Sequence, residues 1–419
     1  MTTANTKKLA LTYEGSVKHV WEAPDAPDNL WFEFSDDYSV FDWGKMPDTI
    51  DNKGRALALI GAFFFERLHE PSFWQKLSSS VNLKKFDSKF LARRFESSVF
   101  AGAGGLSKAG LRTHFKGLTD EVGSRLSLTD ASRRNDRILM QVERAQILRP
   151  QLGEVLEQPV FFYPPQGKIR GTTLIPLEIV FRFGMPAGSS LEQRLSSIPN
   201  YARVLGFKSE PKPNQWFEFP VLEFFTKLEP KDRFLSVQEA AVLSGLTADE
   251  FSKMTELALD VALALHEIFG AAGIELWDGK VEMLAHRAAD NSPAEIVLAD
   301  SIGPDELRLL YDGHQLSKEM IRQFYRGTAW EKSLKEAQKL AFERGTTEWK
   351  EICVRELNSQ PTPLSPEFKS CVSKLYGVLA NALIEAEPFP DHPNLTDFGA
   401  QIAILKTKNA NIGTAKVKT

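Results

Sequence analysis

The stretch from Thr247 to Gly273 constrains this chain most. Thr247-Ala248-Asp249-Glu250 is a capping box, in which a hydroxyl and a carboxylate each satisfy a backbone N–H that the first turn of a helix leaves orphaned. Phe251, Met254, Leu257, Ala258, Val261, Leu265 and Ile268 then recur at helical spacing, and Gly270 and Gly273 mark the stop. A helix with so apolar a stripe has to lie against an apolar surface. The chain supplies one directly afterwards, since Ile274 to Met283 and Glu295 to Ala299 read as the strands of a hairpin. Helix followed by antiparallel hairpin points to an α+β fold.

The remainder fits that class. Leu9 to Phe41 reads as short strands with turns, closing on the alternating Leu30-Trp31-Phe32-Glu33-Phe34, and strand gives way to helix near Gly54, with an apolar stripe to about His69. Glu70 to Gln141 is rich in Ser, Lys and Arg and reads as loops and short helices, partly an insertion. Leu174 to Phe183 is strand-like and runs into the small-residue turn Gly184 to Ser190. Two helices are predicted at about Lys318 to Gln338 and Pro366 to Glu385. The organisation expected is a β-rich N-terminal subdomain with a helix over 9–110, a central α+β domain over 111–315, a helical region over 316–408 and a mobile tail over 409–419.

Composition excludes several classes of function. The 419 residues are 42% hydrophobic and 25% charged, with a net charge of -4 spread along the chain, so nothing resembles the concentrated field that recruits nucleic acid or anionic membrane. Cys353 and Cys371 are the two cysteines and form no C-x-x-C pair, which fits a reducing compartment and buried, inert thiols. No run approaches the roughly 18 apolar residues of a membrane span, and the expected address is the cytoplasm.

Candidate chemistry centres on the hairpin. In Trp277-Asp278-Gly279-Lys280-Val281-Glu282 the two-residue period puts Asp278, Lys280 and Glu282 on one strand face, with Asp300 at the end of the next strand. Glu282 and Asp300 offer the hard oxygens that Mg²⁺ takes while keeping water and phosphate in its shell; the plainer alternative is a solvated strand face with a Lys–Glu pair. Arg308 follows, within reach of the same end of the sheet, where a guanidinium could fork onto phosphate or carboxylate. Near the N-terminus, Tyr13-Glu14-Gly15-Ser16-Val17-Lys18 is a strand–turn–strand that could lie over nucleotide phosphates, although it is no Walker loop. Zinc catalysis finds no support, and His114 and His266 read as structural.

Taken in order, these pieces resemble the SAICAR synthetase family from about Leu11 to Ala382. The family's opening glycine turn is echoed by Tyr13 to Lys18. Ser39-Val40-Phe41-Asp42 and Ile50 to Gly54 follow, then Gly110-Leu111-Arg112-Thr113-His114-Phe115. Ile175-Pro176-Leu177-Glu178 through Arg182 is similar to its substrate strand, Ala187-Gly188-Ser189 to its small-residue loop, and Phe225-Thr226-Lys227 with Lys231 to Ser236 to the next two elements. Asp278, Lys280 and Glu282, Asp300 through Arg308, and Leu316, Lys318 and Arg322 complete the pattern.

The resemblance implies an α+β fold with an N-terminal antiparallel β domain, a larger ATP-binding domain and C-terminal helices. It implies a ligase of purine biosynthesis that uses ATP and Mg²⁺ to join carboxyaminoimidazole ribotide to L-aspartate through an acyl phosphate. On it, ATP would lie in a cleft between the N-terminal and central domains at Gly15, Ser16, Lys18 and Glu178, with Glu282 and Asp300 holding the metal. Ser39, Asp42, Lys53, Arg182, Ser189 and Arg308 would bind the ribotide, and Lys280, Asp278, Lys227 and Asp232 would complete the catalytic pocket. Its partners would be these small molecules, with no nucleic acid or membrane. A homo-oligomer stays open, because the chain carries insertions around Ser72 to Ala109 and Ser132 to Gly171 of the kind that decorate surfaces or subunit contacts. Three positions depart from the pattern: Ser16 stands for a lysine, Ser301 for a carboxylate and Lys231 for a histidine. Such changes leave two alternatives, a paralogous amide ligase with another carboxylate or amine, and a catalytically silent nucleotide-binding protein.

Overall fold

The structure is a computed structural model that describes residues 9–408 apart from 187 and 291, so the expected tail after 408 lies outside the described residues. The described residues divide into two compact units, each assembled from separated stretches: 9–60, 117–141 and 310–408 belong to the first, and 61–116 and 142–309 to the second.

In the first unit the strands Ala10–Glu14, Lys18–Glu22 and Asn29–Phe34 form an antiparallel meander, with Leu11 opposite Trp21 and Trp21 opposite Trp31. Trp31 is fully buried and packs with Ala23 and Leu139. The helix Lys53–His69 starts where Asp36 accepts hydrogen bonds from the backbone N–H groups of Asn52 and Gly54, at 3.1 and 2.9 Å. Gly54 is obligatory there, since a Cβ would lie 2.1 Å from the carbonyl oxygen of Phe34.

The single helix predicted over Lys318 to Gln338 is two, Glu319–Tyr325 and Ala329–Glu343. Gly327 turns left-handed at φ 76° and Thr328 caps the second helix by accepting from the N–H of Glu331, so the apolar periodicity spans a break it cannot register. Pro366–Leu383 forms as expected, with Ser365 as cap and Pro366 in its first turn. Both cysteines are free and buried.

The second unit is built on an antiparallel sheet. Phe234–Leu235, Gln215–Thr226, Leu177–Met185 and Glu275–Arg287 lie in that order, and the far half of Glu275–Arg287 pairs with Glu295–Ala299 and Gly171–Leu174. The stretch Leu174 to Phe183 is therefore split between two strands, because Pro176 has no N–H to give the ladder. The helix Ala248–Ala271 has its capping box in place and packs on this sheet, burying Phe251, Met254, Val261 and Leu265. The segment Glu70 to Gln141 holds the short helices expected of it, and also strands that extend the first unit's sheet, Phe115–Thr119, Arg125–Leu126 and the start of Leu139–Glu143. Leu139–Glu143 was hidden because four consecutive buried residues give no alternation to read. No helix among the described residues is long and apolar enough to cross a membrane.

Candidate active site

Register alone assembles a charged face on the second unit's sheet. Val180 stands opposite Lys280 and Glu223, and Arg182 opposite Asp278. Partners share a face, so alternation brings Glu178, Arg182, Glu223, Asp278, Lys280 and Glu282 to the same side, with Lys227 just beyond the end of its strand. Glu178, Arg182, Glu223, Asp278 and Glu282 are buried, and groups of this kind persist out of water only when paired. The pairing separates them into two clusters.

In the first, Glu178 accepts from Lys280 at 2.6 Å and from Lys227 at 3.0 Å, while Lys227 also donates to Glu282 at 2.5 Å. Burial acts to raise the pKa of Glu178, but the two ammonium groups outweigh it and hold the carboxyl below its usual range. Glu282 goes the other way: burial and then the negative charge of Asp300 push it up to about 7. Burial works against the charge of Lys227, and Glu282, Glu178 and Asp300 together overcome it and raise its pKa. Three carboxyl groups thus face two ammonium groups, a formal surplus of one negative charge that the raised pKa of Glu282 reflects. Asp300 follows the strand Glu295–Ala299 in a left-handed conformation, φ 64°, and the His114 ring holds its carbonyl oxygen at 3.0 Å.

The second cluster has the opposite balance. Arg182 donates through Nε to Glu223 at 2.6 Å, through Nη1 to Asp278 at 2.9 Å, and reaches the hydroxyls of Ser189 at 3.5 Å and Ser190 at 3.2 Å. Glu223 also accepts from Arg194 at 2.6 Å and from the Tyr201 hydroxyl at 2.7 Å. Burial would raise its pKa, but Arg182 and Arg194 keep it below the ordinary value. Arg308 approaches Asp278 at 3.6 Å. Three guanidinium groups meet two carboxylates here, leaving one positive charge. Ser189 caps the helix Ser190–Ser197 and spends its oxygen on the N–H of Leu191, whereas Ser190 is exposed beside Arg182 and Arg194. Ala187 of the same loop lies outside the described residues.

This face can therefore hold a cation at one end and an anion at the other. No group of three or more His, Cys, Asp or Glu side chains that could hold a metal occurs among the described residues. Two carboxylates suffice for Mg²⁺, which completes its octahedron with water and substrate phosphate, and the charge conflict between Glu282 and Asp300 is of the kind a divalent ion relieves.

The other sequence candidates in the second unit are placed differently. Asp232 is exposed in the loop after Lys227. In the first unit, Gly15, Ser16 and Lys18 form a tight turn closed by the Gly15 N–H on the Lys18 carbonyl at 3.0 Å, and the Lys18 ammonium sits 4.3 Å over the Phe32 ring. Ser39 and Asp42 share the Tyr38–Gly44 turn, where Ser39 Oγ accepts from the Gly44 N–H at 3.2 Å. Lys53 is fully buried, with its ammonium 5.7 Å from the Tyr376 ring. Sequence reasoning passed over Glu223, Arg194 and Tyr201. The available signal was Glu223 itself, a lone acid inside the apolar run Phe219-Pro220-Val221-Leu222-Glu223-Phe224-Phe225.

Fold and site define a ligand-binding enzyme of α+β class, and comparison with known proteins places it. A sequence model of the SAICAR synthetase family matches residues 11–97 and 162–337. A protein from Archaeoglobus fulgidus, provisionally named phosphoribosylaminoimidazole-succinocarboxamide synthase, is 31% identical over 392 residues, covering 93% of this chain and 98% of its own. The enzyme of that name from Thermoplasma acidophilum is 26% identical over 340 residues, 79% of this chain and 88% of its own. Among solved structures, the SAICAR synthase of Saccharomyces cerevisiae in complex with SAICAR shares the fold at a TM-score of 0.51 and 19% identity, over 92% of this chain and 98% of that one. The chain belongs to the SAICAR synthetase family and is a ligase of purine biosynthesis.

Proposed function

We propose that this protein joins carboxyaminoimidazole ribotide to L-aspartate at the expense of ATP, giving SAICAR, ADP and phosphate. The observation that carries the reading is the two-ended face: a carboxylate surplus at Glu282 and a guanidinium surplus at Arg182 on adjacent strands of one sheet. A carboxylate oxygen of the ribotide attacks the γ-phosphorus and ADP departs. The aspartate amine then attacks the acyl carbon, the C–O bond breaks, phosphate leaves with that oxygen, and the amine proton goes to solvent. Both steps depend on positioning and charge neutralisation rather than on a protein nucleophile.

Arg182, Arg308 and the Ser189–Ser190 pair fit the ribotide phosphate, as forked donors on a surplus of positive charge. Ser39, Asp42 and Lys53 would hold the rest of that substrate. Gly15, Ser16, Lys18 and Glu178 are assigned to ATP, and Lys280, Asp278, Lys227 and Asp232 to the catalytic pocket. Glu282 and Asp300 would hold Mg²⁺, which supplies neutralisation of phosphate charge. Lys227 and Lys280 stay cationic against burial, and so can balance charge developing on transferred phosphoryl oxygens. A cytoplasmic enzyme is the setting this chemistry implies.

The test is ADP release by the purified protein with MgATP, the ribotide and aspartate, each omitted in turn. Turnover that needs all three supports the reading. Ser16 is the sequence support for a catalytically silent nucleotide-binding protein, and altered positions on the substrate side would favour the other competitor, a paralogue with another carboxylate or amine. Mg²⁺-dependent ATP binding without turnover on these substrates would select it.

A further inference from the structure

The turn that carries Ser39 and Asp42 is held in a conformation its residues disfavour. Phe41 and Asp42 are consecutive left-handed residues, at φ 53° and 58°, and neither is glycine. Side chains make that region costly, and such residues persist where the surroundings over-determine them. The surroundings here are aromatic and come from the helical segment of the same compact unit. Trp330, buried, lies 6.1 Å from the Phe41 ring and edge-on to Trp43 at 5.5 Å, and Trp43 also meets Trp349 at 5.9 Å.

Behind Trp330, the Tyr325 ring packs at 5.2 Å. Its hydroxyl lies 2.9 Å from that of Tyr38 and donates to the Thr362 carbonyl at 2.7 Å. Tyr38 in turn donates to Asp48 at 2.6 Å, and Asp48 accepts from the Leu364 N–H at 3.1 Å. Both flanks of the turn are thus anchored to residues 325–364, while Asp42 itself is exposed.

We propose that Trp330 is a positioning residue: it holds Phe41 and Asp42 left-handed, so that the Asp42 carboxylate presents a fixed acceptor to an amino or hydroxyl group of the carboxylate substrate. This rests on the ribotide-binding role given above to Ser39 and Asp42. Trp330 touches no substrate and acts through the shape of the turn.

The test uses the full-length chain with Trp330→Leu, Trp330→Phe, Phe41→Gly and the double variant Phe41→Gly/Trp330→Leu. Trp330→Leu is expected to raise KM for the ribotide about tenfold, the order set by one strained left-handed residue, with KM for ATP and kcat nearly unchanged. Trp330→Phe keeps an aromatic face and should recover most of the loss. Glycine adopts positive φ without penalty, so adding Phe41→Gly should restore the ribotide KM in the Trp330→Leu background. A residue that merely fills the core would show the reverse, because the double variant removes still more buried surface.

Hydrogen exchange over residues 39–46 reads the same device without activity: it should quicken in Trp330→Leu and slow again in the double variant. Unchanged exchange and KM in Trp330→Leu, or a double variant worse than the single, overturns the proposal. If the wild type fails to use the ribotide, the substrate assignment falls and hydrogen exchange alone decides whether the clamp exists.

Discussion

Replacing Glu223 by Gln tests the electrostatic account of the site. Glu223 is 1% exposed and is the common acceptor for Arg182, Arg194 and Tyr201. The substitution keeps the shape and one oxygen, removes the charge, and doubles the positive surplus of the cluster from one to two. Breaking a buried ion pair by removing one partner costs about 3–5 kcal/mol. The retained amide oxygen still accepts one hydrogen bond, which brings the expected loss to about 3 kcal/mol. For a unit of this size that corresponds to a fall in Tm of roughly 6–12 °C.

The sign of a ligand effect sharpens the test. An anion at this cluster is opposed by less negative charge in the variant, so inorganic phosphate should stabilise Glu223→Gln more than wild type, as read by thermal shift over a phosphate titration. A Tm within 2 °C of wild type would refute the ion-pair account, and a phosphate response no larger than wild type's would refute the charge count.

Asp300→Asn should abolish most turnover, at least about a hundredfold, while melting within a few degrees of wild type, because it removes the repulsion on Glu282 and asparagine tolerates a left-handed backbone; a collapse in stability would make Asp300 structural. Arg94 clamps the fully buried Asp260 at 2.9 and 3.0 Å, yet burial still pushes the pKa of the Asp260 carboxyl up to about 6 and Arg94 also holds Glu256 at 3.1 Å, so the neutral Asp260→Asn should cost about 1 kcal/mol or less in urea denaturation, and a loss above about 3 kcal/mol would contradict that. Burial, assisted by the nearby Lys85 charge, pushes the pKa of His266 down to about 3. The unfolded chain therefore takes up a proton below pH 6.5 that the folded chain refuses, and stability should drop by up to about 1.4 kcal/mol per pH unit from there toward pH 3. His266→Phe should flatten that slope; an unchanged slope assigns it elsewhere.

The readable parts of the sequence were those whose information is local. The helix Ala248–Ala271 and the strand carrying Asp278, Lys280 and Glu282 announce themselves through a capping box and a two-residue period. The opposing charges could not be read this way, because the distance from Glu178 to Lys280 depends on which strands neighbour each other. Glu223 illustrates the limit: its three donors come from a neighbouring strand and two short helices, none of them marked in the sequence as facing it. The left-handed turn at Phe41 and Asp42 was equally hidden, since Phe41 gives no signal of positive φ, Asp42 only a weak one, and the aromatic groups that enforce it lie nearly 300 positions away in Tyr325 and Trp330.

The central claim is a ligation through an acyl phosphate, and oxygen transfer tests it most directly. Ribotide labelled with ¹⁸O in its carboxylate is turned over with MgATP and aspartate, and the released phosphate is weighed by mass spectrometry. The account predicts one labelled oxygen in each phosphate and a succinyl addition in the product. Unlabelled phosphate, or ATP hydrolysis that proceeds equally well without the ribotide, would contradict it.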